Sequence, residues 1–222
     1  MTASDPTGPP AGRPAALAQY RRRAPFYDAE LAVFEPLRRE AIARLGLRPG
    51  DTVLDVGCGT GLSLALLHQG VGEHGRIVGI EQSPEMIAQA RQRVQQQHWP
   101  NVTLIEAPAG AARCAAHADA ALLHFTHDIL RDPAALAHLM RGLKPGARVV
   151  ACGLKWASPW AWPMNLFVLG AALHSVTSLA GLVEPWNLLA PHLDHLALSP
   201  MLGGAVFIAS GTLRQHTGIP KP

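Results

Sequence analysis

Asp55 stands two residues ahead of a run in which glycine recurs at every second position, Gly57, Gly59 and Gly61, within the stretch VLDVGCGTG. Glycine lets backbone approach a ligand closely, and a helix that follows offers free N–H groups. A second carboxylate, Glu81, closes the next apolar run, GRIVGIE. A carboxylate at the end of such a strand can accept both hydroxyls of a ribose. Pyrophosphate suits these residues poorly, because a GxGxxG turn would need glycine where Leu62 stands. Two carboxylates would also repel it, whereas a cationic amino-acid part tolerates Asp55 well. The chemistry implied is capture of a nucleoside with cationic character and no phosphate clamp.

Other residues could act on a second molecule. His127 and Asp128, in HFTHD, follow an apolar run and could serve as a general base pair. The plainer reading has His127 hydrogen-bonded locally and Asp128 capping a helix. Lys155, Trp156 and Trp160 follow a later strand and are expected to line a cavity for that second molecule. Aromatic walls there could hold a flat or cationic group at ~0.5–2 kcal/mol each, or could simply pack. Cys58, Cys114 and Cys152 are odd in number and widely spaced, which suits neither a disulfide framework nor a zinc site.

The elements that must position these groups alternate between strand and helix. AALAQYRRRAPFYDAE and FEPLRREAIARLGL read as amphipathic helices, the second stopped by Arg48-Pro49-Gly50. The strands expected are DTVLDV, GRIVGIE, NVTLIEA, ADAALLHF and ARVVACG, the last following a turn at Lys144-Pro145-Gly146. Between them lie the helices GLSLALLHQG, SPEMIAQARQRVQQQ and DPAALAHLMRGL, with Ser83 and Asp132 as caps ahead of Pro84 and Pro133. DHLALSPM and GGAVFIASGTLR form a closing antiparallel pair joined through Gly203-Gly204. The alternation predicts an α/β fold with a parallel sheet and helices on both faces.

A chain of 222 residues suits one domain with a sizeable core. Its formal charge is only +3, and the one tight basic run is Arg21-Arg22-Arg23, so no nucleic-acid footprint is present. Residues 1–14 read as a disordered leader without a signal peptide, and the setting expected is cytoplasmic. Only 16% of residues are charged, well under the usual ~25%, and none of Asp, Glu, Lys or Arg occurs from Trp156 to Val183. Met164 to Val183 is long enough to span a bilayer. A crossing would bar the chain from returning to the sheet, so the segment is read instead as a buried or half-buried helix roofing the acceptor pocket. Part of its uncharged surface could meet a membrane or the second subunit of a homodimer.

VLDVGCGTG, the strand ending GIEQS, and LKPGARVV together resemble the motifs of class I S-adenosylmethionine-dependent methyltransferases. The resemblance spans roughly residues 20 to 153. It implies a Rossmann-like, doubly wound, seven-stranded sheet, mostly parallel with an antiparallel last strand. Residues 15–222 would form one methyltransferase domain, with 15–47 a helical lid and 155–192 an apolar cap. The cofactor implied is S-adenosyl-L-methionine, with Asp55, Gly57, Cys58, Gly59 and Gly61 around its methionine part. Glu81 would take the ribose, and Gln82 and Met86 would flank the adenine. Pro108 stands where the family usually has an aspartate for the adenine amino group, so that contact passes to backbone near Ala107 and Ala109, or to Glu106. His124 and Phe125 would lie beside the sulfonium, and Tyr20 and Tyr27 in a leading helix would close over the cofactor. The partner implied is a small apolar or aromatic acceptor, methylated at oxygen or nitrogen. The stretch from Tyr27 to Leu64 is also similar to bacterial phospholipid N-methyltransferases, which implies a lipid-directed alternative. A non-catalytic cofactor-binding protein of the same fold is the third reading.

Overall fold

The computed structural model describes residues 34–113, 117–158, 160–175 and 181–215. Tyr20, Tyr27, the basic run and Cys114 lie outside the described residues. The elements run α1 (Glu35–Arg44), β1 (Thr52–Val56), α2 (Leu64–Val71), β2 (Arg76–Glu81), α3 (Pro84–Gln97), β3 (Val102–Glu106) and β4 (Ala118–His124). They continue with α4 (His127–Leu130), α5 (Pro133–Arg141), β5 (Leu143–Leu154), α6 (Trp162–Ser175), β6 (Leu193–Met201) and β7 (Val206–Leu213).

Local chemistry sets most of these boundaries. The Ser83 hydroxyl accepts from the Met86 N–H at 3.3 Å, and Asp132 accepts from the N–H groups of Ala134 and Ala135 at 2.9 and 3.0 Å. Each cap satisfies donors that the first helical turn leaves open. Helix α1 ends a turn before Arg48-Pro49-Gly50, since Gly46 already leaves the helix at φ 53°. The expected turn at Lys144-Pro145-Gly146 is a bulge inside β5. Leu143 pairs with Ala118, the register then slips, and pairing resumes at Arg148 opposite Ala120. Lys144 is held there by Asp119 at 2.6 Å.

The seven strands are ordered β3-β2-β1-β4-β5-β7-β6. All neighbours are parallel except those of β7, which runs antiparallel to both β5 and β6. This is the doubly wound sheet with a reversed last strand expected from the sequence. Successive residues of the inner strands are apolar because both faces are covered. Leu54, Val56, Leu123, Val149 and Phe207 pack on the side of α5, where Leu136 and Leu139 meet them. Val53, Ile77, Leu122, Val150 and Ile208 face α1 and α2 through Leu37, Ala41, Leu64 and Leu67. Asp55, two residues from Val53, shares the α1 side by the period-two rule.

The uncharged segment forms α6, which rests on the α1-side core through buried Val168, with Leu182 beyond it. Trp160, Trp162, Leu166 and Val183 face outward, at 83%, 65%, 59% and 70% exposure. The expected roof meets the core, among the described residues, through Val168 and Met164. Among the described residues, no helix is long and apolar enough to cross a membrane.

Candidate functional site

Strand order reverses between β1 and β4, since β2 and β3 extend to one side and β5 to the other. A crevice opens at the carboxyl ends of strands at such a switch point. Here it is lined by Asp55 at the end of β1, the loop Gly57 to Thr60, and Leu62 and Ser63 leading into α2. His124 and Phe125 at the end of β4 form the facing wall, and Arg38 from α1 completes it.

The glycine loop has the conformation its composition implies. Gly57, Gly59 and Gly61 have φ of 69°, 56° and 83°, which disfavours any other residue. A Cβ on Gly57 would come within 2.5 Å of Thr126, whereas one on Gly59 would meet nothing within 4 Å. The open space at Gly59 is where a ligand can lie against bare backbone. The loop is tied to β2 through Gly57 and Cys58, whose N–H groups donate to the Ile80 carbonyl at 2.8 and 3.0 Å.

Glu81 finishes the cradle. Its carboxylate accepts from the Gly59 N–H at 3.0 Å and the Ser83 N–H at 2.8 Å. Burial raises its pKa, and the N–H groups of Ser83, Gly59 and Gln82 oppose that rise. A carboxylate has about four acceptor positions, so two bonds to backbone leave room for two hydroxyls.

Asp55 is 2% exposed, and its Oδ2 has no hydrogen-bond partner. Burial pushes its pKa up to about 7, against the attraction of Arg38, and the neighbouring Glu81 charge adds to the rise. A buried carboxylate with an unmet oxygen is a place for a cation. His124 is also incomplete, with its Nε2 buried and unpartnered. Burial, with a smaller push from Arg38, brings its pKa down to about 3.

That shift has a measurable consequence. The folded pKa of His124 lies below the ordinary 6.5, so the unfolded chain takes up the proton first. The penalty is absent above pH 6.5 and grows as pH falls towards 3, at about 1.4 kcal/mol per unit. His124→Gln is expected to recover about 3 kcal/mol of stability at pH 4.5 relative to pH 7.5. Denaturant unfolding of both chains at the two pH values measures it, and parallel pH profiles would refute it.

Phe125 carries a backbone strain of its own, at φ 59°. Such a conformation in a bulky residue persists only where its surroundings impose it. Its N–H donates to the Cys152 carbonyl at 2.7 Å, and its ring lies 5.2 Å from Phe34 and 4.9 Å from His124. The result is a fixed aromatic wall beside Asp55.

The remaining expected site residues fall in different places. Gly61 supports the loop from behind, where an added Cβ would meet Leu64 and Ala90. Gln82 follows Glu81, half-buried, while Met86 is buried on α3. Ala107 donates its N–H to the Glu81 carbonyl at 3.0 Å, and Ala109 is buried nearby in the core. Glu106 pairs with Arg91 at 3.0 Å on the surface.

His127 is buried, and its Nε2 donates to the Leu154 carbonyl at 2.9 Å. That bond leaves the Nδ1 lone pair buried without a partner, and burial lowers the ring's pKa, so it is neutral. The ring sits against Gly153, where a Cβ would be 2.7 Å from it. Asp128 is exposed in the first turn of α4. Neither lines the crevice.

Lys155 donates to the carbonyls of Trp156 and Gly204 at 2.8 and 3.0 Å, so its ammonium braces the β7 turn. Trp156 is half-buried against the α1-side core, and Trp160 projects into solvent. These three also stand outside the crevice lining.

Sequence reasoning missed Arg38, Thr60, Leu62 and Ser63 as crevice residues. Arg38 had left a signal. It lies between Leu37 and the apolar pair Ala41 and Ile42, on the stripe of α1 that faces the core.

Comparison with known proteins agrees with this arrangement. A family described as "Methyltransferase domain" matches residues 53–146. The chain is 27% identical over 198 residues to a 2-phytyl-1,4-naphtoquinone methyltransferase of Thermosynechococcus vestitus, covering 83% of this chain and 85% of that one. It is 38% identical over 120 residues to an uncharacterised 37.1 kDa protein in transposon TN4556 of Streptomyces fradiae, covering 51% of this chain and 33% of that one. The chain thus spans about a third of that relative's length. Among solved structures, it resembles the N-methyltransferase NodS of Bradyrhizobium japonicum in complex with S-adenosyl-L-homocysteine. The TM-score is 0.65 at 16% identity, over 93% of this chain and 100% of that one.

Proposed function

We propose, from the premise that the chain belongs to the class I S-adenosylmethionine-dependent methyltransferases, that it methylates oxygen or nitrogen on a small acceptor with an apolar or aromatic body. When bound, S-adenosyl-L-methionine supplies a methyl group already activated by a sulfonium charge. The residues of the crevice fit that cofactor. Asp55 offers an unmet carboxylate oxygen to its ammonium, Gly59 offers open backbone, and Glu81 has acceptor positions left for the ribose. Gln82 and Met86, with Ala107 and Ala109, are the residues we assign to the adenine side.

The chain's own contribution is then mainly positional. Holding two reacting groups in line at ~3–3.5 Å can account for ~7–11 kcal/mol of barrier lowering. Apart from Asp55, Arg38 and His124, the described crevice lining carries no ionisable side chain but the Cys58 thiol, whose pKa burial raises well above its ordinary value.

The observation that carries the acceptor reading is the strained Phe125 wall, tilted against Phe34 and edge-on to His124. A rigid aromatic face favours flat or apolar groups over strongly hydrated ones. The likeness to a naphthoquinone methyltransferase supports the same class. The exposed Trp160, Trp162, Leu166 and Val183 favour a second reading, methylation of a phospholipid amine at a membrane surface.

One mass-shift screen separates the two. Purified chain with S-adenosylmethionine is offered quinols, phenols and aromatic amines in solution, and phosphatidylethanolamine in vesicles. Methylation of the soluble aromatics is expected. Product from the vesicles alone would replace the first reading with the second.

A further inference from the structure

Trp160, Trp162, Leu166, Val183 and Leu202 are exposed large apolar side chains that come from three separate segments of the chain. One short stretch after β5 ties those segments together. The Lys155 ammonium donates to the Gly204 carbonyl at 3.0 Å, the Trp156 N–H to the Leu182 carbonyl at 2.9 Å, and the Ala157 N–H to the Asn165 side chain at 2.9 Å. Leu202, Val183 and Leu166 lie within two residues of those three partners. Met164 also reaches across, since a Cβ on Gly203 would lie 3.4 Å from its methyl carbon. Trp162 and Leu166, one turn apart, share the outer side of α6, while Val168 turns to the core and Trp160 stands in the turn just ahead. The five residues form one apolar face.

This face stands at the carboxyl end of the sheet. Leu154 closes β5 opposite Val206, which opens β7, and Cys152 pairs with His124 at the wall of the crevice. The charges on its border balance. The Arg131 side chain lies against Gly181, Glu184 follows Val183, and Arg44, which donates to Ser199 at 2.6 Å, is paired with Glu40 at 2.8 Å. No charged residue occurs from Trp156 to Val183. An uncharged occupant suits such a face, and its size narrows the choice. At ~150–250 Å² per aromatic side chain, the exposed fractions amount to on the order of 500 Å² once the aliphatic groups are included. A stable protein interface takes ~800 Å² from each partner. A bilayer sets no such threshold, because lipid surrounds each inserted side chain separately. Indole rings, apolar but with one N–H donor, settle where acyl chains meet headgroups.

We infer that this face docks on a lipid bilayer, with Trp160 and Trp162 inserted to the headgroup boundary. The docking depends neither on the cofactor nor on which acceptor is methylated. Because the crevice opens at the same end of the sheet, docking keeps it close to the membrane.

Flotation of the full chain with vesicles tests it, using phosphatidylcholine alone and phosphatidylcholine with phosphatidylglycerol. The chain is expected to float with both, with a blue shift in tryptophan emission. Its partitioning should change less than about twofold between low and high salt, because no charge pairing is involved. The double variant Trp160→Ser, Trp162→Ser is expected to lose about tenfold or more in partitioning. If a thermal melt shows that variant unfolded, Trp160→Ser alone, at the most exposed of the five positions, replaces it with an expected loss of about threefold or more. No flotation, or undiminished partitioning in the variants, would overturn the inference. So would binding that requires phosphatidylglycerol and vanishes in high salt, which would move the contact to basic residues. A dimer in sedimentation that the variants dissociate, without vesicle binding by the unmodified chain, would assign the face to a second copy instead.

Discussion

Glu81→Ala is expected to weaken binding of S-adenosylhomocysteine by about a hundredfold or more. The carboxylate at this position does two things. It accepts from Gly59 and Ser83, which holds the glycine loop against the end of β2. In the proposed reading, its unused acceptor positions are left for the two ribose hydroxyls. A hydrogen bond to a charged group contributes ~1.5–3 kcal/mol, and two lost together correspond to roughly 10²–10⁴ in affinity. Glu81→Gln keeps one acceptor oxygen and should fall between the two. Calorimetric titration of the three chains decides it, and an unchanged dissociation constant in Glu81→Ala would remove the nucleoside from this crevice.

Asp55→Asn is expected to stabilise the fold above neutral pH and to impair the site. The folded pKa of about 7 lies above the ordinary 3.8, so the folded chain keeps a proton that the unfolded chain has lost. Stability attributable to this group is complete below pH 3.8 and is lost as pH rises through about 7. At about 1.4 kcal/mol per unit, the variant should gain a few kcal/mol at pH 8 and almost nothing at pH 4. Its affinity for S-adenosylhomocysteine should fall about 10–100-fold, because the ammonium loses a charged partner. The same linkage predicts that the unmodified chain releases a proton on binding near pH 7, since the ammonium favours the ionised carboxylate. Melting curves at both pH values, with titrations in buffers of different ionisation enthalpy, measure all three effects. A variant less stable at pH 8 would mean that Asp55 is paired inside the fold and does not await a ligand.

Stability and binding are opposed at this position for a physical reason. A carboxylate held without a full set of partners costs free energy in the free protein. In the proposed reading the same unmet oxygen receives the cofactor's ammonium, so a more comfortable Asp55 would bind less well.

Most of the cofactor crevice was legible in the sequence because its residues are close in the chain and carry local signals. Asp55 and the three glycines report their strand and turn through alternation and positive φ, and Glu81 ends a strand recognisable by composition. His124 and Phe125 were placed correctly at the end of β4 for the same reason. The expected acceptor residues depended on long-range geometry. Lys155 and Trp156 do follow β5, but the incoming β7 lies antiparallel beside it, and its turn takes up the Lys155 ammonium. Trp160 stands in solvent, and no element among the described residues covers it. His127 was read as a general-base candidate or as a locally hydrogen-bonded ring, and the structure turns the ring inward to the Leu154 carbonyl. The bulge at Lys144-Pro145-Gly146 was read as a turn because those residues look alike in either role.

The sequence alone determined the α/β alternation, the capped helices, the glycine turn and the pair of carboxylates at two strand ends. Each is dictated by contacts within a few residues. Tertiary structure alone decided that Glu81 sits close enough to raise the proton affinity of Asp55, and that Arg38 enters from α1 to line the same crevice. Those facts depend on which strands become neighbours and which helix covers them. Burial then turns ordinary ionisable groups into perturbed ones, and no local pattern encodes that environment.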